Sequence, residues 1–163
     1  MRAVRAKCGT LNYAECEHIL CLRGDVCKNI AANTWVVKDA CPQGMLPEYY
    51  VLFHGTPIIT FCPDGSVILR TGGYQTVTTK QRIWQFSGFD IFSLNFQWYV
   101  SGVGRFVEGM RITRNGQVDW IATLGIQDCP IDPREPQIAA DWLEDHNRPE
   151  EAARLRAACQ PNH

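Results

Sequence analysis

The chain has 163 residues, 45% hydrophobic and 20% charged, which is ordinary globular usage and excludes a disordered or collagen-like polypeptide. Sixteen Lys and Arg against seventeen Asp and Glu leave a net charge of −1, excluding a surface that is everywhere a trap for nucleic acid or anionic membrane. The first twenty residues hold Arg2, Arg5, Lys7, Glu15 and Glu17, and no stretch supplies the roughly 20 apolar residues of a membrane helix; a soluble, cytoplasmic protein with no membrane partner is expected.

Residues 12–24 read as a first helix. Asn12 followed by Glu15 is a capping-box-like start, Gly24 a stop, and Tyr13, Cys16, Ile19 and Leu20 a partial apolar stripe continued through 23–27. From Asn33 the character becomes β. Residues 34–38 form a short strand, 39–47 a loop, and 49–54 and 57–62 two runs joined by a tight turn at Gly55-Thr56. Pro63-Asp64-Gly65-Ser66 has the residues of a type I turn followed by a left-handed glycine, and leads into a strand at 67–70. Thr78 and Thr79 are candidate caps of a helix of about ten residues ending at Gly88. Strand-like runs resume at 89–94, 96–100 and 105–113, and Asn115-Gly116 predicts a type I′ hairpin with its return strand at 118–124. After the prolines at 130, 133 and 136, residues 137–146 and 149–159 read as two helices with Ile138, Trp142, Leu143 and Leu155 facing inward.

The expected fold is therefore α+β: an antiparallel β-meander with one short internal helix, an N-terminal helix and a C-terminal two-helix appendage. The expected organisation is a Cys-rich helical segment (1–32), a β-rich core (33–127) and an acidic helical tail (128–163). Residues 128–151 hold eight acids and two arginines, a local charge of −6, whereas residues 1–127 carry +3.

Eight cysteines without an export signal are read as thiols. The N-terminal group Cys8, Cys16, Cys21 and Cys27 is the one candidate zinc site; it lacks the Cys-x-x-Cys knuckle that presents two sulfurs to one ion, so no cofactor is expected. The three Cys-Pro pairs, at 41, 62 and 129, read as segment ends, where proline stops backbone pairing.

Asn33-Thr34-Trp35, His54-Gly55-Thr56, Pro63-Asp64-Gly65-Ser66, Gly72-Gly73-Tyr74 and Thr78-Thr79-Lys80-Gln81-Arg82-Ile83, followed by Phe96-Gln97-Trp98-Tyr99 and Glu108-Gly109-Met110, resemble in their order a small β-rich domain of uncharacterised bacteriophage and bacterial proteins. The resemblance covers about residues 33–113. It departs at Trp84, where that domain carries a small polar residue such as Asn, and at the cysteine-rich N-terminal helix. It implies a phage or mobile-element provenance and carries no activity with it. The segment from Ala139 to Leu155 is similar to a short helical module of repeat-bearing bacterial proteins.

Catalysis is not expected. The histidines are His18, His54, His146 and His163; the last two sit on the tail, where a solvated role suffices, and His54 occupies a hairpin corner pointing away from Cys62 by strand geometry. Gly72-Gly73 lacks the Lys and Ser/Thr of a phosphate loop. The expected function is a protein-interaction or accessory module whose partner is another protein, with Trp142, Glu144 and Asp145 on the acidic tail as candidate contacts. The alternative is nucleic-acid binding through Arg70, Tyr74, Lys80, Arg82, Arg111 and Arg114 on a small antiparallel sheet. A small zinc-stabilised protein is the second alternative. The oligomeric state is not legible.

Overall fold

In the computed structural model residues 11–21, 25–39 and 44–159 are described, the side chain of Cys21 excepted; the expected helix stop at Gly24 lies outside them. Helix α1 (Tyr13–Cys21) starts as its cap predicts, the Glu15 amide donating to Asn12 Oδ1 at 2.9 Å. Nine strands follow among the described residues: β1 (Cys27–Ala31), β2 (Thr34–Lys38), β3 (Tyr49–Phe53), β4 (Thr56–Phe61), β5 (Val67–Leu69), β6 (Ile91–Leu94), β7 (Gln97–Val100), β8 (Gly104–Arg105) and β9 (Met110–Ile112). They form a six-stranded antiparallel sheet in the order β1-β2-β3-β4-β5-β9 and a three-stranded antiparallel sheet β6-β7-β8. The meander thus runs through β5, leaves for the second sheet, and returns as β9.

Strand β1 is absent from the sequence reading, which continued the α1 stripe through 27; it pairs with β2, so the boundary expected at 32/33 falls inside a hairpin. The turn between β3 and β4 is His54-Gly55, not Gly55-Thr56. Both residues take positive φ (50° and 77°), as a type I′ turn requires, and the β-branched Thr56 is left to begin β4 paired with Phe53. The turn into β5 forms as expected: the Gly65 amide bonds Cys62 O, and Gly65 adopts φ +87°.

Side chains alternate across the six-stranded sheet. One face carries the rows Val36–Val51–Ile59–Leu69–Met110 and Tyr49–Phe61–Val67–Ile112, all buried except the partly buried Val67. These pack with Cys16, Ile19 and Leu20 of α1, with Ile83 and Phe86 of helix α2 (Val77–Ser87), with Trp98 and Val100 of the second sheet and with Phe106 just after it in one continuous core. Each fully buried aliphatic side chain here contributes about 1.5–3 kcal/mol relative to its exposed state. The cap of α2 is Thr76 rather than Thr78 or Thr79: its hydroxyl accepts from the Thr79 amide at 3.1 Å. Gly88, at φ +80°, ends the helix as expected.

The β6–β7 turn is Asn95-Phe96, both at positive φ (51° and 64°). The phenylalanine is fully exposed in a conformation that costs an L-residue about 1–2 kcal/mol. Phe96→Gly is therefore expected to raise stability by about 1 kcal/mol, read as a higher urea midpoint at unchanged slope; a lower midpoint would mean that the ring packs within the fold.

The expected strand at 105–113 is two strands, β8 and β9, separated by a bend at 106–109. The Asn115-Gly116 hairpin also forms differently. The Gly116 amide bonds Thr113 O and the Thr113 amide bonds Gln117 O, so Gly116 alone takes positive φ in that turn, at +80°. Residues 118–124 are not a return strand. Only Val118 bridges to Ile112, because Asp119 then caps a short helix α3 (Trp120–Thr123) by accepting from the Ala122 amide at 3.0 Å. Thr123 Oγ1 accepts from the Arg111 amide and the Asp119 amide bonds Arg111 O; side chain and loop complete the free edge of β9.

Helices α4 (Pro136–Asp145) and α5 (Pro149–Cys159) pair and build a second, smaller core from Ile121, Ile126, Ala139, Ala140, Leu143, Ala152 and Leu155. Ile138, expected inside, is half-exposed. The alanines face the partner helix instead, because small side chains let the two backbones approach.

Candidate functional site

The six basic and aromatic candidates do not assemble into one patch. Arg111 on β9 holds Asp64 of the β4–β5 turn at 2.9 Å. Arg70 donates to Thr60 Oγ1 at 3.2 Å. Lys80 lies 5.4 Å from the centroid of the Trp98 ring and donates to Ser93 Oγ. Arg82 sits over the Phe53 ring at 5.8 Å and donates to Gln85, with its Nε buried and unpaired. The aliphatic stem of Arg114 packs against Gly65, where an added Cβ would meet it at 3.2 Å. Tyr74 is exposed in the loop before α2. Five of the six are thus tied to neighbours within the chain, and Lys80 and Arg82, on α2, lie across the large sheet from Arg111.

Of the cysteine group, Cys16 is fully buried in the core and Cys27 is exposed on β1, while Cys8 and the side chain of Cys21 lie outside the described residues. Burial, with a smaller contribution from the charge of Glu15, pushes the Cys16 thiol up to about 12, the opposite of the ionised sulfur a metal needs. On the tail, Trp142 stacks on His146 at 4.0 Å and Glu144 pairs with Arg156, which also holds Asp141 at 2.7 Å. Asp145 is exposed. His54 serves its turn through the backbone, its amide donating to Asn33 O at 2.8 Å, and its ring leans on Phe53.

A different surface carries more. The outer face of the six-stranded sheet, opposite the core, bears Trp35 and Leu52 in one row and Val37, Tyr50, Thr60, Ile68 and Arg111 in the next. None of its apolar residues belongs to either core cluster. Trp35 is 42% exposed, and Val37, Tyr50, Leu52 and Ile68 are half-buried. The polar groups on this side are spent locally. The Tyr50 hydroxyl donates to Asp39 Oδ2 at 2.9 Å, and burial together with that bond pushes it up to about 12. Cys62, buried beside Glu48, is raised in the same direction by desolvation. Arg70 and Arg111 face Asp39, Glu48 and Asp64, so the face has no excess of positive charge. It is an apolar strip with an aromatic edge and neutralised flanks.

The large aromatic residues Trp35, Phe53, Phe61, Trp84, Phe92, Phe96 and Trp98 divide between the core and the surface. Phe61 and Trp98 are buried, but Trp35, Trp84 and Phe92 are more than 40% exposed and Phe96 wholly so. The available signal was that Trp35, Val36 and Val37 make β2 apolar on both faces, which period-2 alternation assigns either to two-sided burial or to an open binding face.

A family model described as Kyanoviridae Gp96 protein matches residues 22–116, more than half of the chain. The matched span takes in all nine strands and α2 and excludes α1 and the C-terminal helices. It contains the region 33–113 that carried the resemblance and begins early enough to include β1. No curated protein and no solved structure matches the chain.

Proposed function

This chain belongs to the Kyanoviridae Gp96 protein family of phage, and from that premise we propose that it is a non-catalytic accessory module that docks a protein partner on the open face of its six-stranded sheet. The observation that carries this reading is the strip of Trp35, Val37, Tyr50, Leu52 and Ile68, apolar and outside both cores. Such a strip offers apolar area, with Trp35 and Tyr50 as anchors of the residue types that dominate protein interfaces. Charge argues for a protein partner over nucleic acid. A phosphate backbone is held by uncompensated cations, and here Arg111 is already paired with Asp64 and Arg70 donates to Thr60 Oγ1.

A photo-crosslinking amino acid at position 35 or 68, expressed during infection, captures the partner for identification; the same probe at exposed position 138 is the control. With the purified partner, Trp35→Ala is expected to weaken binding by about 2 kcal/mol, near thirtyfold. Affinity is expected to change little between 50 and 200 mM salt. A steep fall over that range, of the order of a thousandfold for many phosphate contacts, or equal binding by wild type and Trp35→Ala, would overturn the proposal.

A further inference from the structure

A second feature lies on the other side of the molecule. Three segments distant in sequence converge on a cavity of about 530 Å³: the β3–β4 hairpin, the loop after β5, and the first turn of α2. Its volume is that of a small-molecule site. Phe53, Ile58, His54 and Tyr74 provide the apolar and aromatic surface, and five threonines the rest.

The threonines divide into two sets. Thr71, Thr76 and Thr79 build the wall. Thr71 donates its amide to Glu108 at 2.9 Å and its hydroxyl to the same carboxylate, and the hydroxyls of Thr76 and Thr79 share a bond of 2.9 Å. The side-chain hydroxyls of Thr56, Thr78 and Tyr74 and the His54 ring have no hydrogen-bond partner among the described residues and line the cavity. The wall hydroxyls are engaged within the chain, and those of the second set are free to bind.

Among the described residues no Asp, Glu, Lys or Arg lines the cavity. The cations nearest in sequence, Arg70, Lys80 and Arg82, are engaged with Thr60 Oγ1 and with the rings of Trp98 and Phe53. The site therefore offers no counter-charge to an ionic ligand. Hydroxyls donate and accept at once, which matches a ligand whose own groups are hydroxyls, and aromatic faces match the C–H faces of a ring.

We propose that the cavity between His54, Tyr74 and Thr78 binds a neutral saccharide unit. Neither the sheet face nor its partner enters this inference, so Trp35→Ala leaves it untouched. Tyr74 and Thr78 are exposed, so their variants fold.

The test is a ¹⁵N NMR titration of the full chain with glucose, galactose, N-acetylglucosamine and maltose, beside UMP and glucose 6-phosphate. Saturable shifts with at least one neutral sugar below about 10 mM, confined to amides of 54–56 and 71–79, are expected. Tyr74→Ala and Thr78→Val are each expected to weaken that binding at least about tenfold. Gly72→Ala is expected to abolish it, since the added Cβ falls 2.5 Å from the Thr56 methyl at a φ of +64°. No saturable shift with any neutral sugar, tighter binding of UMP or glucose 6-phosphate than of every neutral sugar, shifts centred elsewhere, or indifference to both Tyr74→Ala and Thr78→Val would overturn the proposal.

Discussion

Phe86→Ala is expected to destabilise the protein by about 3–5 kcal/mol, the range for removing a buried aromatic ring and leaving its cavity. Phe86 is wholly buried on α2, and α2 packs on β3 and β4 of the large sheet and on β6 of the small one. The ring therefore lies in the layer where the two sheets meet, and little can collapse into the space without parting them. The loss is a large fraction of the ~5–15 kcal/mol available to a domain. Urea unfolding of Phe86→Ala beside Trp84→Ala tests it. Trp84 is on the same helix but 44% exposed, and its replacement is expected to cost under about 1 kcal/mol. Where Phe86→Ala does not fold, Phe86→Leu gives a readable loss of about 1.5 kcal/mol. Equal effects at 84 and 86 would mean that α2 does not present this face to the core.

Stability is expected to fall as pH rises above 9. The Cys16 thiol is held at about 12, chiefly by burial and then by the nearby charge of Glu15, against 9 for the exposed thiol. Below pH 9 both states keep the proton and the contribution is fully present. Between 9 and 12 the unfolded chain releases it and the folded chain does not. The unfolded state then binds fewer protons, so stability declines by about 1.4 kcal/mol per pH unit, approaching 4 kcal/mol near pH 12. Cys159, pushed up to about 11 by burial, and Tyr50, at about 12, act in the same direction. The contribution of Cys16 is isolated by urea midpoints at pH 8, 9, 10 and 11 for wild type and Cys16→Ala. The variant is expected to be less stable at pH 8 and to lose stability more gently above pH 9. Parallel slopes would show that Cys16 ionises as readily folded as unfolded.

Local chemistry wrote much of the fold into the chain. Asn12 before a helix, Gly65 and Gly88 at positive φ, and the proline opening α5 each act through a few bonded neighbours. Their positions were therefore legible, as were the antiparallel class and the residues that resemble the phage domain. Where two local solutions competed, only tertiary contacts decided. His54-Gly55 and Gly55-Thr56 both contain the glycine a tight turn needs; pairing of Phe53 with Thr56 selected the first. Residues 118–124 are apolar enough for a strand, but the Asp119 cap and the bond between the Arg111 amide and Thr123 Oγ1 made them a helix at the strand edge.

The candidate sites were less legible still, because a site is a juxtaposition of distant segments. The sequence alone determined that Trp35 and Val37 share one face of a strand, since side-chain alternation is a property of the backbone. It did not determine that no helix or second sheet among the described residues packs on this face. That depended on α1, α2 and the second sheet all packing on the other side, a choice made by the summed burial of Val36, Val51, Ile59, Leu69 and Met110, residues brought side by side only by the register of five strands.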